Sequence, residues 1–238
     1  MNDASITVVY DNTSSREDLI ADWGFSALIQ YNGNTILFDS GAKADILVHN
    51  LEVLYGSLEV VENAKIFLSH DHFDHNGGIP FIVRSSANTC FIPASASPQL
   101  KQTIIEAGGK PIPIQERLEI CPHIWSSGEL EGPTNEQALV MDVHGKLVVI
   151  TGCAHPGIVP IVQQVVSVFK KAPYLVMGGF HWYESSMKEV KSQISQLRTM
   201  GVQKVAPCHC TGNKAIAWIR KNWKEGFVEA SAGTHISL

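Results

Sequence analysis

Ten consecutive residues, SHDHFDHNGG at positions 69–78, constrain this chain more than any other feature. They hold three of its ten histidines and two aspartates, and they follow AKIFLS, an apolar run that reads as a short buried strand. A solvated polar loop does not need such crowding, whereas a strand that ends in imidazoles and carboxylates suits a site built at the edge of a sheet. In an extended loop His70, His72 and Asp74 lie two residues apart and converge on one side. His75 joins them only if the chain turns into a helix, which Gly77-Gly78 allows. His70 with His72 then serve one metal ion, and Asp74 with His75 a second. Two such ions, about 3.5–4 Å apart, share a water and lower its pKa.

Three later segments repeat this ending. TGCAHPG (151–157), GGFHW (178–182) and APCHCTG (206–212) each close an apolar run with His or Cys beside glycine or proline. Imidazole, carboxylate and thiolate are the donors that zinc-like metals take. Cys208 and Cys210 flank His209 and face away from it in an extended segment, as small buried apolar residues. His181 is open to three roles, as a ligand, a general acid or a substrate contact, and its neighbour Trp182 offers a ring for stacking. His49, His123, His144 and His235 lie in no comparable context and read as surface or core residues. Asp11-Asn12, after the first strand, reads either as cleft lining or as ordinary turn chemistry.

The grammar around these segments is α/β. Strands are expected at 5–10, 24–31, 35–39, 64–69 and 89–95, with Asn32-Gly33 turning a hairpin. Helices are expected at 43–54, from Gly77 to Val83, and at 97–109, the last with Ser97 as N-cap and Pro98 in its first turn. Residues 110–124, with three prolines, read as irregular and extended. In the second half, 137–143 and 146–151 form a hairpin around His144-Gly145. A helix at 157–171, a strand at 174–179, a helix at 185–200, a strand at 204–209 and a helix at 213–223 follow, and the tail closes with a strand. No low-complexity linker separates the halves, so residues 1–238 read as one domain of two α/β halves, two packed sheets covered by helices.

Bulk properties narrow the function. A chain of 238 residues, 45% hydrophobic and 17% charged, buries a large core and is not disordered. Its formal charge of −5 offers no footprint for nucleic acid or an anionic membrane. No apolar run reaches the ~18–20 residues of a membrane span, and the N-terminus has no signal-peptide pattern. Five irregularly spaced cysteines argue against a disulfide framework and for a reducing cytoplasm.

HDHFDHNGG matches the H-x-H-x-D-H signature of the metallo-β-lactamase superfamily, and ILFDSG (36–41) resembles the strand that precedes it there. The order of segments matches over nearly the full chain, and WGFSALIQ, TGCAHPGI, MGGFH and PCHCTG are similar to a branch related to an archaeal pterin-pathway synthase. The resemblance implies an αββα sandwich with a metal site at one edge of its two sheets. It makes His70, His72, Asp74 and His75 ligands, His209 the last metal histidine and Asp39 a group behind the site. One departure stands out. Where many relatives carry Gly-His-Thr before the second-half hairpin, this chain has Gly132-Pro133-Thr134. Cys153 occupies the place of a bridging aspartate, and His155, two residues on, replaces the lost histidine.

The expected function is therefore that of a metal-dependent hydrolase opening an ester, phosphoester or similar bond in a small molecule through a metal-bound hydroxide. Asp74 orients the water, and His181 protonates the leaving group. Up to two divalent ions are implied, zinc first, with manganese and iron as alternatives. The branch resemblance implies a second function, a transferase joining a pterin methyl group to an arylamine with the metal as Lewis acid. That reading lacks a diphosphate cluster, since Lys43, Arg84 and Lys110 are scattered. A third is a non-catalytic metal or ligand sensor. Oligomeric state is not legible.

Overall fold

A computed structural model describes residues 4–86 and 88–238. The chain divides into two units, one running up to Gln115 and taking in Ser231–Leu238, the other spanning Glu116–Ala230.

The first unit opens with three antiparallel strands, β1 (Ser5–Tyr10), β2 (Ser26–Tyr31) and β3 (Asn34–Phe38). Asn32 and Gly33 turn the β2–β3 hairpin with φ of 50° and 71°, the paired positive values of a tight two-residue loop. Helices α1 (Ala44–Tyr55) and α2 (Glu59–Glu62) lead to β4 (Lys65–Phe67). Then come α3 (Phe73–Asn76), α4 (Ile79–Ser86), β5 (Thr89–Pro93), α5 (Pro98–Glu106) and β6 (Lys110–Ile114). From β3 to β6 neighbouring strands are parallel, so their C-terminal ends share one edge. Leu28, Leu37, Leu47, Leu51, Ile66 and Ile82 belong to the apolar core of this unit. Ser97 caps α5 as expected, its hydroxyl accepting from Leu100 N at 3.1 Å.

The second unit holds β7 (Leu118–Cys121), β8 (Ile124–Leu130), β9 (Glu136–Val143) and β10 (Lys146–Thr151), all antiparallel. It continues with α6 (Ile158–Phe169), β11 (Pro173–Gly179), α7 (Met187–Thr199), β12 (Lys204–Cys208) and α8 (Asn213–Trp223). Here β10, β11 and β12 are parallel, with Thr151 opposite Gly178 and Gly179 opposite Cys208. Three loops therefore leave the sheet at the same edge. Finally β13 (His235–Ser237) returns to pair with β1 in the first unit. Among the described residues the sheets have the strand orders β13-β1-β2-β3-β4-β5-β6 and β12-β11-β10-β9-β8-β7.

The segment 110–124, expected to be irregular, contains β6 and β7. Pro111 and Pro113 sit on β6 because it is the outermost strand of its sheet, where a missing N–H breaks no ladder. IWSSGEL did not read as a strand, yet it forms β8, with a register shift between Ser126 and Glu129 that absorbs its small residues. Among the described residues no helix is long and apolar enough to cross a membrane.

Candidate metal centre

In the first unit the parallel pair β3 and β4 places Phe38 opposite Phe67, so Asp39 and the Ser69–His70 turn emerge side by side. Asp39 N–H donates to Phe67 O at 2.8 Å. His72, extended at φ −114° and ψ 150°, is the N-cap of α3, and the helical turn brings Asp74 and His75 inward. His70 and His75 are fully buried and Asp74 nearly so. His70 Nε2 lies 3.1 Å from His72 Nδ1, and His75 Nε2 lies 3.7 Å from Asp74 Oδ2. The His70 and His75 rings are 4.2 Å apart, centroid to centroid.

Gly77 and Gly78 serve this turn through space rather than through backbone freedom. Gly77 has an ordinary helical φ of −62°. A Cβ there would lie 2.1 Å from Ala42 O, and one at Gly78 would lie 2.6 Å from Ser40 O. Only glycine lets the loop after β3 approach so closely.

Behind the histidines stands Asp39, fully buried, on left-handed backbone at φ 51°. Its Oδ1 accepts from Ser69 N–H at 2.7 Å, and its Oδ2 accepts from the Ser69 hydroxyl at 2.7 Å and from His75 Nδ1 at 2.7 Å. Ser69 has spent its one proton on Asp39, so its oxygen accepts from His70 Nδ1 at 2.9 Å. One carboxylate thus sets both imidazoles, one directly and one through a hydroxyl, with Nδ1 protonated and the Nε2 lone pair available. Burial pushes the Asp39 carboxyl above its ordinary range, while His75 and Ser69 pull the other way. Ser69 escaped the sequence reading. Its only signal was its place beside His70 at the end of AKIFLS.

In the second unit the loop after β10 carries Cys153 and His155, and His209 opens a short 3-10 turn after β12. The Cys153 thiol lies within 4.8 Å of a ring nitrogen of His155 and, separately, of His209. Cys153 and His209 are buried and His155 half-buried. The His155 and His181 rings are 4.5 Å apart. His181 is exposed, and its φ is 54°. Trp182 does not offer its ring to a ligand, as the sequence suggested. It is buried in the core of this unit and donates its indole N–H to Gln193 Oε1 at 3.2 Å. Tyr183 is the exposed aromatic, with its ring 5.4 Å from that of His181. Cys208 and Cys210 are buried, and the Cys210 thiol contacts Cys153 O at 3.7 Å.

The remaining histidines lie elsewhere. His49 bonds Asp18 O, His235 meets Thr7 Oγ1, and His123 and His144 occupy turns at φ 68° and 50°. Asp11 is a turn-former, its Oδ2 accepting from Thr13 N–H and hydroxyl.

The donor set fits a zinc-like ion. Two nitrogens each bound at 2.0–2.1 Å to one tetrahedral ion stand about 3.3 Å apart. The 3.1 Å between His70 Nε2 and His72 Nδ1 is close to that. A thiol and further buried imidazoles supply the other donor types. Four residues on these loops, Asp39, Ala154, His181 and His209, hold positive φ without being glycine. Strain of this kind collects where a site must be preorganised.

No family model matches the chain. It is 27% identical to 7,8-dihydropterin-6-methyl-4-(β-D-ribofuranosyl)-aminobenzene-5′-phosphate synthase of Methanocaldococcus jannaschii, over 98% of this chain and 95% of that protein. Among solved structures it resembles Tm1679, a metal-dependent hydrolase of the β-lactamase superfamily, with a TM-score of 0.81 and 25% identity over 99% of each chain. It also shares its fold, at a TM-score of 0.71 and 16% identity over the full length of both chains, with the metallo-β-lactamase fold protein YhfI from Bacillus subtilis. The α/β fold with two sheets, expected from the sequence, is thus that of these proteins. In fold and sequence the chain is thus similar to enzymes of the metallo-β-lactamase superfamily, and to the branch of the archaeal dihydropterin synthase.

Proposed function

We propose that the chain is a metal-dependent hydrolase. Its proposed metal ligands are His70, His72, Asp74 and His75 after β4, and Cys153, His155 and His209 after β10 and β12. The observation that carries this reading is the Asp39–Ser69 network, which holds His70 and His75 in the tautomer that ligates through Nε2. Up to two divalent ions suit these donors, and the Cys153 thiolate favours zinc or iron. When bound, such ions lower the pKa of a water and polarise a carbonyl or phosphoryl oxygen.

The chain's own groups have separate tasks. Asp74 accepts a proton from the attacking water and aims it. His181, exposed and beside His155, gives a proton to the leaving oxygen. His155 takes the place of the histidine missing from Gly132-Pro133-Thr134. In support, Gly132 packs on that residue's backbone, where an added Cβ would lie 3.1 Å from the His155 carbonyl carbon. The substrate is a small-molecule ester or phosphoester.

A second reading, a transferase joining a dihydropterin methyl group to an arylamine, is favoured by the name of the archaeal relative. Its diphosphate leaving group would need cations. Lys43 is already paired with Asp22 at 2.6 Å, and Arg84 and Lys110 are exposed on other elements.

The test is metal content per chain for wild type and His155→Ala, by elemental mass spectrometry, followed by a panel of ester, phosphoester and pterin substrates. Two ions falling to one or none, with turnover of an ester or phosphoester, is the expected result. Unchanged content in the variant makes His155 a bystander. Product only from pterin and arylamine selects the transferase. Wild-type protein that takes up no metal leaves the sensor reading in its place.

A further inference from the structure

The loop that carries Cys153 and His155 is held by a carboxylate that is not itself a candidate ligand. Glu136, the first residue of β9, is fully buried. Its Oε1 accepts the backbone N–H groups of Gly152 at 2.9 Å, Cys153 at 3.0 Å and Ala154 at 3.0 Å. Its Oε2 accepts the N–H of His155 at 2.9 Å. Four successive amides therefore converge on one side chain. Successive N–H groups turned to the same side form a concave anion-binding arc, and here the anion belongs to the protein.

The register explains how this happens. β9 and β10 are antiparallel, with Leu139 opposite Ile150. Glu136 lies three residues before Leu139 and so reaches past the end of β10, where the chain leaves the ladder after Thr151. The amides of 152–155 have left the sheet there, and Ala154 adopts a φ of 58°. A buried carboxylate is costly unless hydrogen bonds compensate it, and four donors do so. With its amides turned toward Glu136, the arc carries the Cys153 thiol and the His155 imidazole to within 4.8 Å of each other.

We propose that Glu136 is a positioning residue that preorganises the Cys153–His155 loop for metal binding by acting as its internal anion. The proposal rests on Cys153 and His155 being ligands, as argued above. It assigns Glu136 no contact with metal or substrate. Without the carboxylate the four amides have no common acceptor, and the loop samples conformations in which thiol and imidazole no longer meet.

Glu136→Gln tests this, because it keeps the size of the side chain but presents an amide N–H₂ to donors. Two quantities are read: zinc affinity, by competition with a chromogenic chelator, and amide hydrogen exchange in metal-free protein. Zinc affinity is expected to fall 10–100-fold, the usual effect of removing a group behind a ligand. Exchange is expected to speed up at residues 152–155 and to stay unchanged in β1–β6. Cobalt-loaded wild type should show a thiolate-to-cobalt absorption band from Cys153 that weakens in the variant.

Unchanged affinity and exchange would overturn the proposal. So would a lower melting temperature of the metal-free variant with unchanged affinity, which would make Glu136 a structural staple only. If wild-type protein binds no zinc, the metal reading fails, while exchange in the metal-free protein still decides whether Glu136 orders the loop. If Glu136→Gln does not fold, Glu136→Asp, which keeps the charge but shortens its reach, is read by the same measurements. An affinity loss with faster exchange at 152–155 again supports the proposal, and wild-type values overturn it.

Discussion

At the scale of single residues, hydrogen-bond direction decides what each side chain can do. Ser69 donates to Asp39 and can then only accept from His70, so a hydroxyl with no ligand role fixes an imidazole tautomer. Ser69→Ala removes that acceptor while leaving His75 on Asp39. Metal affinity should fall about 10-fold, at the mild end of such effects, because one of two imidazoles loses its restraint. Chelator competition measures this, and an affinity equal to wild type would show that the relay does nothing for the site. Trp182 teaches the opposite lesson. Its place beside His181 suggested an aromatic contact, but alternation along the chain after β11 sends the indole into the core and leaves Tyr183 exposed.

At the scale of elements, parallel strand order concentrates the chemistry. β3 and β4 deliver Asp39 and Ser69–His70 in the first unit, while β10, β11 and β12 deliver Cys153, His181 and His209 in the second. Loops at the C-terminal ends of parallel strands are where α/β proteins place their ligands. The turn into α3 depends on close packing against the loop after β3. Gly77→Ala sets a methyl 2.1 Å from Ala42 O, which backbone movement alone can relieve. The expected cost is about 1–3 kcal/mol, the range for overpacking a filled site. Urea denaturation of metal-free protein measures it, and a midpoint equal to wild type would show that the loop yields freely. Metal affinity should fall as well, since the same shift moves Asp74 and His75.

At the scale of the whole molecule, metal binding is tied to stability, because an ion that binds the folded chain and not the unfolded one shifts the equilibrium toward the native state. Zinc held at 100 times its dissociation constant should stabilise the native state by about 2.7 kcal/mol, and a chelator should reverse this. For a chain of this size that is roughly 5–10 °C in melting temperature. Scanning calorimetry tests it, and a melting temperature that zinc leaves unchanged would contradict the metal reading.

Much of this was legible in the chain by itself. Asn32-Gly33, the Ser97 cap, the second-half hairpin and the strand-ended clusters are local signals, set by dihedral preference and apolar period over a few residues. The candidate ligands were legible for the same reason, since each sits where an apolar run stops. Tertiary structure alone decided how those ligands are held. Asp39 lies 30 residues from Ser69 and 36 from His75, and Glu136 lies 16 to 19 residues from the amides it gathers. No local pattern encodes such pairs, because strand register creates them, and burial makes each hydrogen bond obligatory only once the sheet has formed.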